Sequence, residues 1–220
     1  MQVSSKIVLL CCSIASILLV SCDHAVKPSA TGIPQVEGLP SPPEVDASSA
    51  ESVKNYVSWL SKEENGFIKR RILGNFWFEG LIEPPAYAVL LNHRGERITS
   101  DEINNEVKEQ SEIFQMQFSI GADTLSKELL KYAVGDEEEY QRRVSYYSFG
   151  MDKDIYIVVG NDTIPCATYQ WERGFDASQK LVFQLVFSKK QWKENVNGFQ
   201  LVFYDRVFNN GIIKFFFGKE

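Results

Sequence analysis

Between residues 114 and 120 every second side chain is apolar: Phe114, Met116, Phe118 and Ile120 alternate with Gln115, Gln117 and Ser119. Only a strand puts alternate side chains on opposite faces, so this stretch must lie in a sheet that buries one face and leaves the other polar. The same period governs most of the chain after residue 155. Residues 155–159, 164–171, 181–187, 199–204 and 212–217 read as strands, with turns expected at Gly160-Asn161-Asp162, Asn197-Gly198 and Asn210-Gly211. In 181–187 both alternating sets are apolar except for Gln184, which predicts an interior strand covered on both faces, with helices as the expected cover. Earlier, residues 67–73 and 76–82 flank Gly74-Asn75 and predict a hairpin.

Helical signals fall between these strands. Val53, Tyr56, Val57 and Leu60 form an i, i+3, i+4, i+7 stripe behind a capping pair of Ser48 and Glu51, and Asn65-Gly66 should stop that helix. Pro84-Pro85 can open a short helix through Tyr87, Leu90 and Leu91. Thr99 and Glu102 form a second capping box for a helix ending near Ser111. Leu125, Leu129 and Tyr132 predict a helix over 124–134, and another follows Gly135, where acidic residues 136–139 suit a helix N-terminus. In that last helix Glu138 with Arg142 and Glu139 with Arg143 are i, i+4 pairs. The sum is an α+β fold: mostly antiparallel sheet with helices packed on it and a strand-rich C-terminal half.

The N-terminus sets the expected location. Lys6 precedes an apolar run over residues 7–20, short of the roughly 20 residues that a membrane-spanning helix needs and right for a cleaved export signal. The run ends in Leu19-Val20-Ser21-Cys22, which resembles the lipobox of bacterial lipoproteins. The resemblance implies a signal peptide over 1–21 and a mature chain whose Cys22 carries the acyl chains that anchor it. Residues 22–47 hold Pro28, Pro34, Pro40, Pro42 and Pro43 among small polar residues, and read as a disordered tether. A single globular domain should then fill 48–220. The expected placement is the cell envelope, on the outer membrane and facing the periplasm or the cell surface.

Three further segments extend the likeness: Tyr56-Val57-Ser58-Trp59-Leu60, Pro84-Pro85-Ala86-Tyr87 and Tyr169-Gln170-Trp171-Glu172-Arg173. Taken in order, they resemble a family of uncharacterised gram-negative bacterial lipoproteins. The resemblance implies an α+β lipoprotein domain outside the cytoplasm and brings no activity with it.

Composition removes several functions. The net charge of −6, one unit more negative once Lys6 leaves with the signal, disfavours nucleic acid, whose phosphates need concentrated Lys and Arg. Of four cysteines, Cys11 and Cys12 lie in the signal and Cys22 is the lipid site, so Cys166 has no partner for an intramolecular disulfide. With only His24 and His93, and with Tyr156 where a calcium loop after Asp152 and Asp154 would want an oxygen, no metal site is expected. Cys166 with His93 as base would make a nucleophilic pair, but a small buried residue is the commoner fate of a strand cysteine. Neither a nucleophile elbow, a phosphate-binding loop nor a dinucleotide fingerprint occurs, and no cofactor is expected beyond the covalent lipid.

These readings favour a lipid-anchored, non-enzymatic binding or accessory component that contacts another envelope protein. Trp77 and Glu79 on the first hairpin, with Glu172, Arg173 and Trp192 near sheet ends, are the candidate contact residues. Two other classes stay open: a small envelope hydrolase working through carboxylates such as Glu172, and an immunity-type or inhibitor protein acting on a basic target.

Overall fold

A computed structural model describes residues 36–93, 98–110, 112–122, 128–172, 180–192 and 196–219. Leu19, Val20, Ser21, Cys22 and Arg173 lie outside these residues. The described chain is α+β, with four α-helices and nine strands in two antiparallel sheets. The order is α1 (Ala50–Leu60), β1 (Ile68–Leu73), β2 (Phe76–Glu83), α2 (Pro85–Asn92), α3 (Ser100–Glu109), β3 (Ile113–Ala122), α4 (Glu137–Phe149), β4 (Ile155–Val159), β5 (Asp162–Pro165), β6 (Thr168–Glu172), β7 (Lys180–Ser188), β8 (Gly198–Asp205) and β9 (Gly211–Gly218). One sheet runs β1-β2-β3-β7-β6 and the other β5-β4-β8-β9.

The period-2 aromatic residues explain the layering. Phe78 and Phe118 of the five-stranded sheet meet Phe203 of the other at ring-centroid distances of 6.4 and 4.9 Å, and Phe114 meets Phe199 edge-on at 5.4 Å. Gly80 faces the same way. A Cβ there would lie 3.1 Å from Leu201 and 3.4 Å from Phe217, so the missing side chain lets the sheets approach. The rest of the inner face, toward β6, is closed by α4, whose fully buried Tyr147 lies 5.4 Å from Phe183 and 6.3 Å from Trp171. The expected cover of β7 by helices on one side is therefore shared between a second sheet and one helix. Its other face carries half-buried Val182, Gln184 and Val186.

Local signals place most elements. Gly74, at φ 59°, opens the two-residue loop that joins Leu73 to Phe76. The Thr99–Glu102 capping box is complete, with Glu102 Oε2 accepting the Thr99 backbone N–H at 2.8 Å and the Thr99 hydroxyl accepting the Glu102 N–H at 3.3 Å. Helix α1 is capped by Ser49, one residue beyond the expected Ser48. Both ion pairs expected along α4 form, at 2.8 Å for Glu138–Arg142 and 2.5 Å for Glu139–Arg143.

Other expectations are corrected. Residues 164–171 are not one strand. Pro165, which cannot donate to a ladder, ends the edge strand β5, and the chain crosses at Cys166-Ala167 to join the other sheet as β6. Within 124–134 the described part holds one 3₁₀ turn, Leu129–Lys131, closed by Ala133 at φ 50°. Arg143 donates to the carbonyls of Leu130 and Tyr132 at 3.2 and 2.6 Å, taking acceptors that a longer helix would have used internally. The β8–β9 loop is longer than a tight turn because the buried Asp205 carboxylate accepts the backbone N–H groups of Val207, Phe208 and Asn210 and so folds residues 206–210 around itself. The packed chain also starts ahead of residue 48. Val36 is buried, Glu37 N donates to Val196 O at 2.9 Å, and Lys219 N donates to Glu37 O at 3.0 Å. Among the described residues no helix is long and apolar enough to cross a membrane.

Candidate functional site

The polar half of the alternation faces away from the core and makes a groove. Antiparallel register aligns three rows across the outer face of the five-stranded sheet: Glu83, Gln115, Val186 and Thr168; then Leu81, Gln117, Gln184 and Gln170; then Glu79, Ser119, Val182 and Glu172. Neighbouring strands lie about 4.8 Å apart, so Gln117, Gln184 and Gln170 stand side by side, and Gln117 Nε2 donates to Ser119 Oγ at 3.4 Å. Helix α2, started at Pro85 directly after β2, stands along one side with Tyr87, Ala88 and Leu91. The groove has a volume of about 720 Å³. It is the size of a typical small-ligand cleft, though its lining is far more polar than most.

Two carboxyl groups set the electrostatics. Glu83 is only 3% exposed, and its Oε1 has no hydrogen-bond partner. Burial is the largest influence on its acidity and, with the nearby Glu172 charge, pushes the carboxyl up to about 7, while the Gln184 amide acts in the opposite direction. Gln184 Nε2 also donates to Glu172 Oε1 at 2.9 Å, so one amide joins the two acids. No Lys, Arg or His is among the described residues lining the groove.

Three of the five candidate contact residues share this face. Trp77 lies flat over Gly121, where a Cβ would sit 2.2 Å from the indole ring, and Arg70 stacks on the ring at 5.0 Å from its centroid. Arg70 also donates through Nε and Nη2 to Glu79 Oε2 at 3.1 and 2.9 Å. Trp77 and Glu79 are therefore half-buried members of a fixed stack beside the groove, while Glu172 is exposed at its β6 margin. Trp192 is elsewhere. Its ring packs on Phe114 at 4.9 Å and Phe199 at 5.3 Å, so it belongs to the core because the aromatic faces there need cover. Sequence reading missed Glu83, Gln115, Gln117, Gln170 and Gln184, although the polar positions alternating with Phe114, Met116 and Phe118 pointed to the face that carries two of them.

The remaining chemistry-bearing groups serve packing. Cys166 is buried, donates its thiol to Thr168 O at 3.1 Å, and is pushed up to about 11 by burial, so it stays a thiol. His93 instead pairs with Glu106 at 2.8 Å, tying α2 to α3. Asp154, beside the segment resembling a calcium loop, accepts from Arg206 at 2.7 and 2.9 Å and from the Tyr146 hydroxyl at 3.0 Å. Among the described residues no group of three or more His, Cys, Asp or Glu is placed to hold a metal ion.

Fold and groove together define an α+β domain of two facing antiparallel sheets with an acidic, amide-lined cleft on one outer surface. No protein-family model matches the chain, and neither the curated proteins nor the solved structures give a match.

Proposed function

We propose that this chain is a lipid-anchored envelope protein, held by acyl groups on Cys22, whose domain binds another envelope protein through the outer face of its five-stranded sheet. The groove supports this most. A sheet face carrying four glutamines and two acids in register is costly to leave without a function, because polar groups half withdrawn from water lose solvation unless they find partners. The adjacent Trp77–Arg70–Glu79 stack adds a fixed aromatic and charged rim of the kind found at protein contacts.

Two measurements test the reading. Labelling with a fatty-acid analogue should mark the protein and be lost in Cys22→Ala. Filling the groove with Gln117→Trp, which points away from the core, should abolish co-purification of a partner from native envelopes while leaving the melting temperature within a few degrees. Co-purification unchanged by Gln117→Trp would place the contact elsewhere.

A second reading has one specific observation behind it: Glu83, with a carboxyl proton retained near neutrality, shares a cleft with Glu172, the pairing that hydrolysis of glycosidic bonds uses. It predicts turnover of envelope glycans that falls at least a hundredfold in both Glu83→Gln and Glu172→Gln. Binding without turnover favours the first reading.

A further inference from the structure

The groove carries two carboxyl groups and, among its described lining residues, no basic side chain. Glu83 Oε1 is buried without a partner, Glu172 lies on the same face and is linked to it through Gln184, and no positive side chain is among the described lining residues. The flanking amides of Gln115, Gln117 and Gln170 each present an acceptor oxygen as well as a donor. A carboxyl group withdrawn from water in this way is best completed by a compact cation that brings several donors on a slender stem. A protonated primary amine fits that description, with three N–H donors at the tip of a flexible four-carbon stem. Apolar side chains along the wall, Leu91 and Ala88 of α2, suit the methylene stem of such a group.

We infer that the groove receives a lysine side chain of the partner protein, its ammonium group seated against Glu83 and Glu172 and its stem lying along α2. The inference rests on the proposed binding role of this face and adds the chemistry of what it recognises. Other lysine-free cationic or neutral ligands are outcomes of the test.

Proton linkage gives the proposal a signature. The Glu172 charge of β6 acts on Glu83, Tyr87 of α2 lines the same groove, and the ionised form of Glu83 is the one that pairs with an ammonium ion. Because its carboxyl is pushed up to about 7, the competent fraction, and with it the affinity, should fall about tenfold from pH 8 to pH 6. A lysine ammonium stays charged across that range.

The test titrates the full-length protein in detergent with the peptide acetyl-Gly-Lys-Gly-amide and follows the side-chain amide resonances of the groove glutamines. The comparison peptides carry norleucine or Nε-acetyl-lysine in place of lysine, and 1,5-diaminopentane serves as a free amine. The expected result is saturable shifts with the lysine peptide and the diamine and none with the norleucine or acetyl-lysine peptide, weakening about tenfold between pH 8 and 6 and lost in Glu83→Gln, whose folding is verified by its melting curve. Equal shifts with norleucine, binding unchanged in Glu83→Gln, or binding of the diamine but not the peptide would each overturn the inference. A photo-crosslinker at position 117 separates the two claims. A crosslinked envelope partner that persists in Glu83→Gln with no lysine-peptide binding removes the lysine inference and leaves the binding role, whereas no crosslink removes both.

Discussion

Replacing Glu83 by glutamine should make the protein more stable at neutral and higher pH, and the gain should vanish in acid. Below the ordinary glutamate value of 4.5 the carboxyl is protonated in both the folded and unfolded states and contributes nothing to the pH dependence. Between 4.5 and about 7 the unfolded chain releases its proton while the folded chain keeps it, so stability declines as pH rises. Above about 7 the folded carboxyl is ionised as well, and the penalty is complete. A displacement of this size corresponds to about 3 kcal/mol, undiminished by solvent screening because the side chain is almost wholly buried. Glutamine keeps the shape and polarity but cannot ionise. Urea unfolding of both proteins at half-unit steps from pH 4.5 to 8.5 measures the difference directly. It should widen by about 3 kcal/mol across the series in favour of Glu83→Gln. A difference that stays flat to within about 0.5 kcal/mol would refute the reasoning, because it would mean that the carboxyl is solvated or already paired.

Phe118, fully buried between Phe183, Phe203 and Phe215, should cost about 3–5 kcal/mol when changed to alanine, read as a lower urea midpoint at unchanged slope. Gly121→Ala should displace the Trp77 ring, shifting tryptophan emission to the red and lowering stability by about 1–3 kcal/mol, whereas the same change at Gly74, where a Cβ meets nothing, should leave emission unchanged. Cys166, a buried thiol pushed up to about 11, should react with iodoacetamide at pH 8 only at the rate of unfolding, so rapid alkylation of the native protein would contradict its placement.

The alternation over residues 114–120 made the sheet legible, because a period of two admits no other regular structure, and the turn glycines at 74 and 160 fixed two hairpins by local backbone chemistry alone. What could not be read depended on distant partners. Whether 164–171 is one strand or two turns on which sheet each half joins, and the bend at Cys166-Ala167 is fixed by Ala167 N donating to Val186 O on a distant strand. The aborted helix at Leu129–Lys131 depends on Arg143 in the same way. The site was half legible. Trp77 and Glu79 on the first hairpin and Glu172 near a sheet end are candidates in the sequence, and register brings all three to one face. Glu83 is invisible in the sequence because its weakened acidity arises from burial and from the charge of Glu172, distant in sequence, neither of which leaves a local trace. Trp192, a contact candidate for its place near a sheet end, packs against Phe199 and against Phe114, a partner distant in sequence, and these draw it into the core.

The central claim concerns which surface meets a partner, and site-specific photo-crosslinking in the native envelope tests it most directly. Probes at Gln117 and Gln170, on the groove, should each give one shared crosslinked product, while a probe at Phe149, exposed at the end of α4, should give none. Crosslinks from Phe149 with silence from both groove positions would contradict the account.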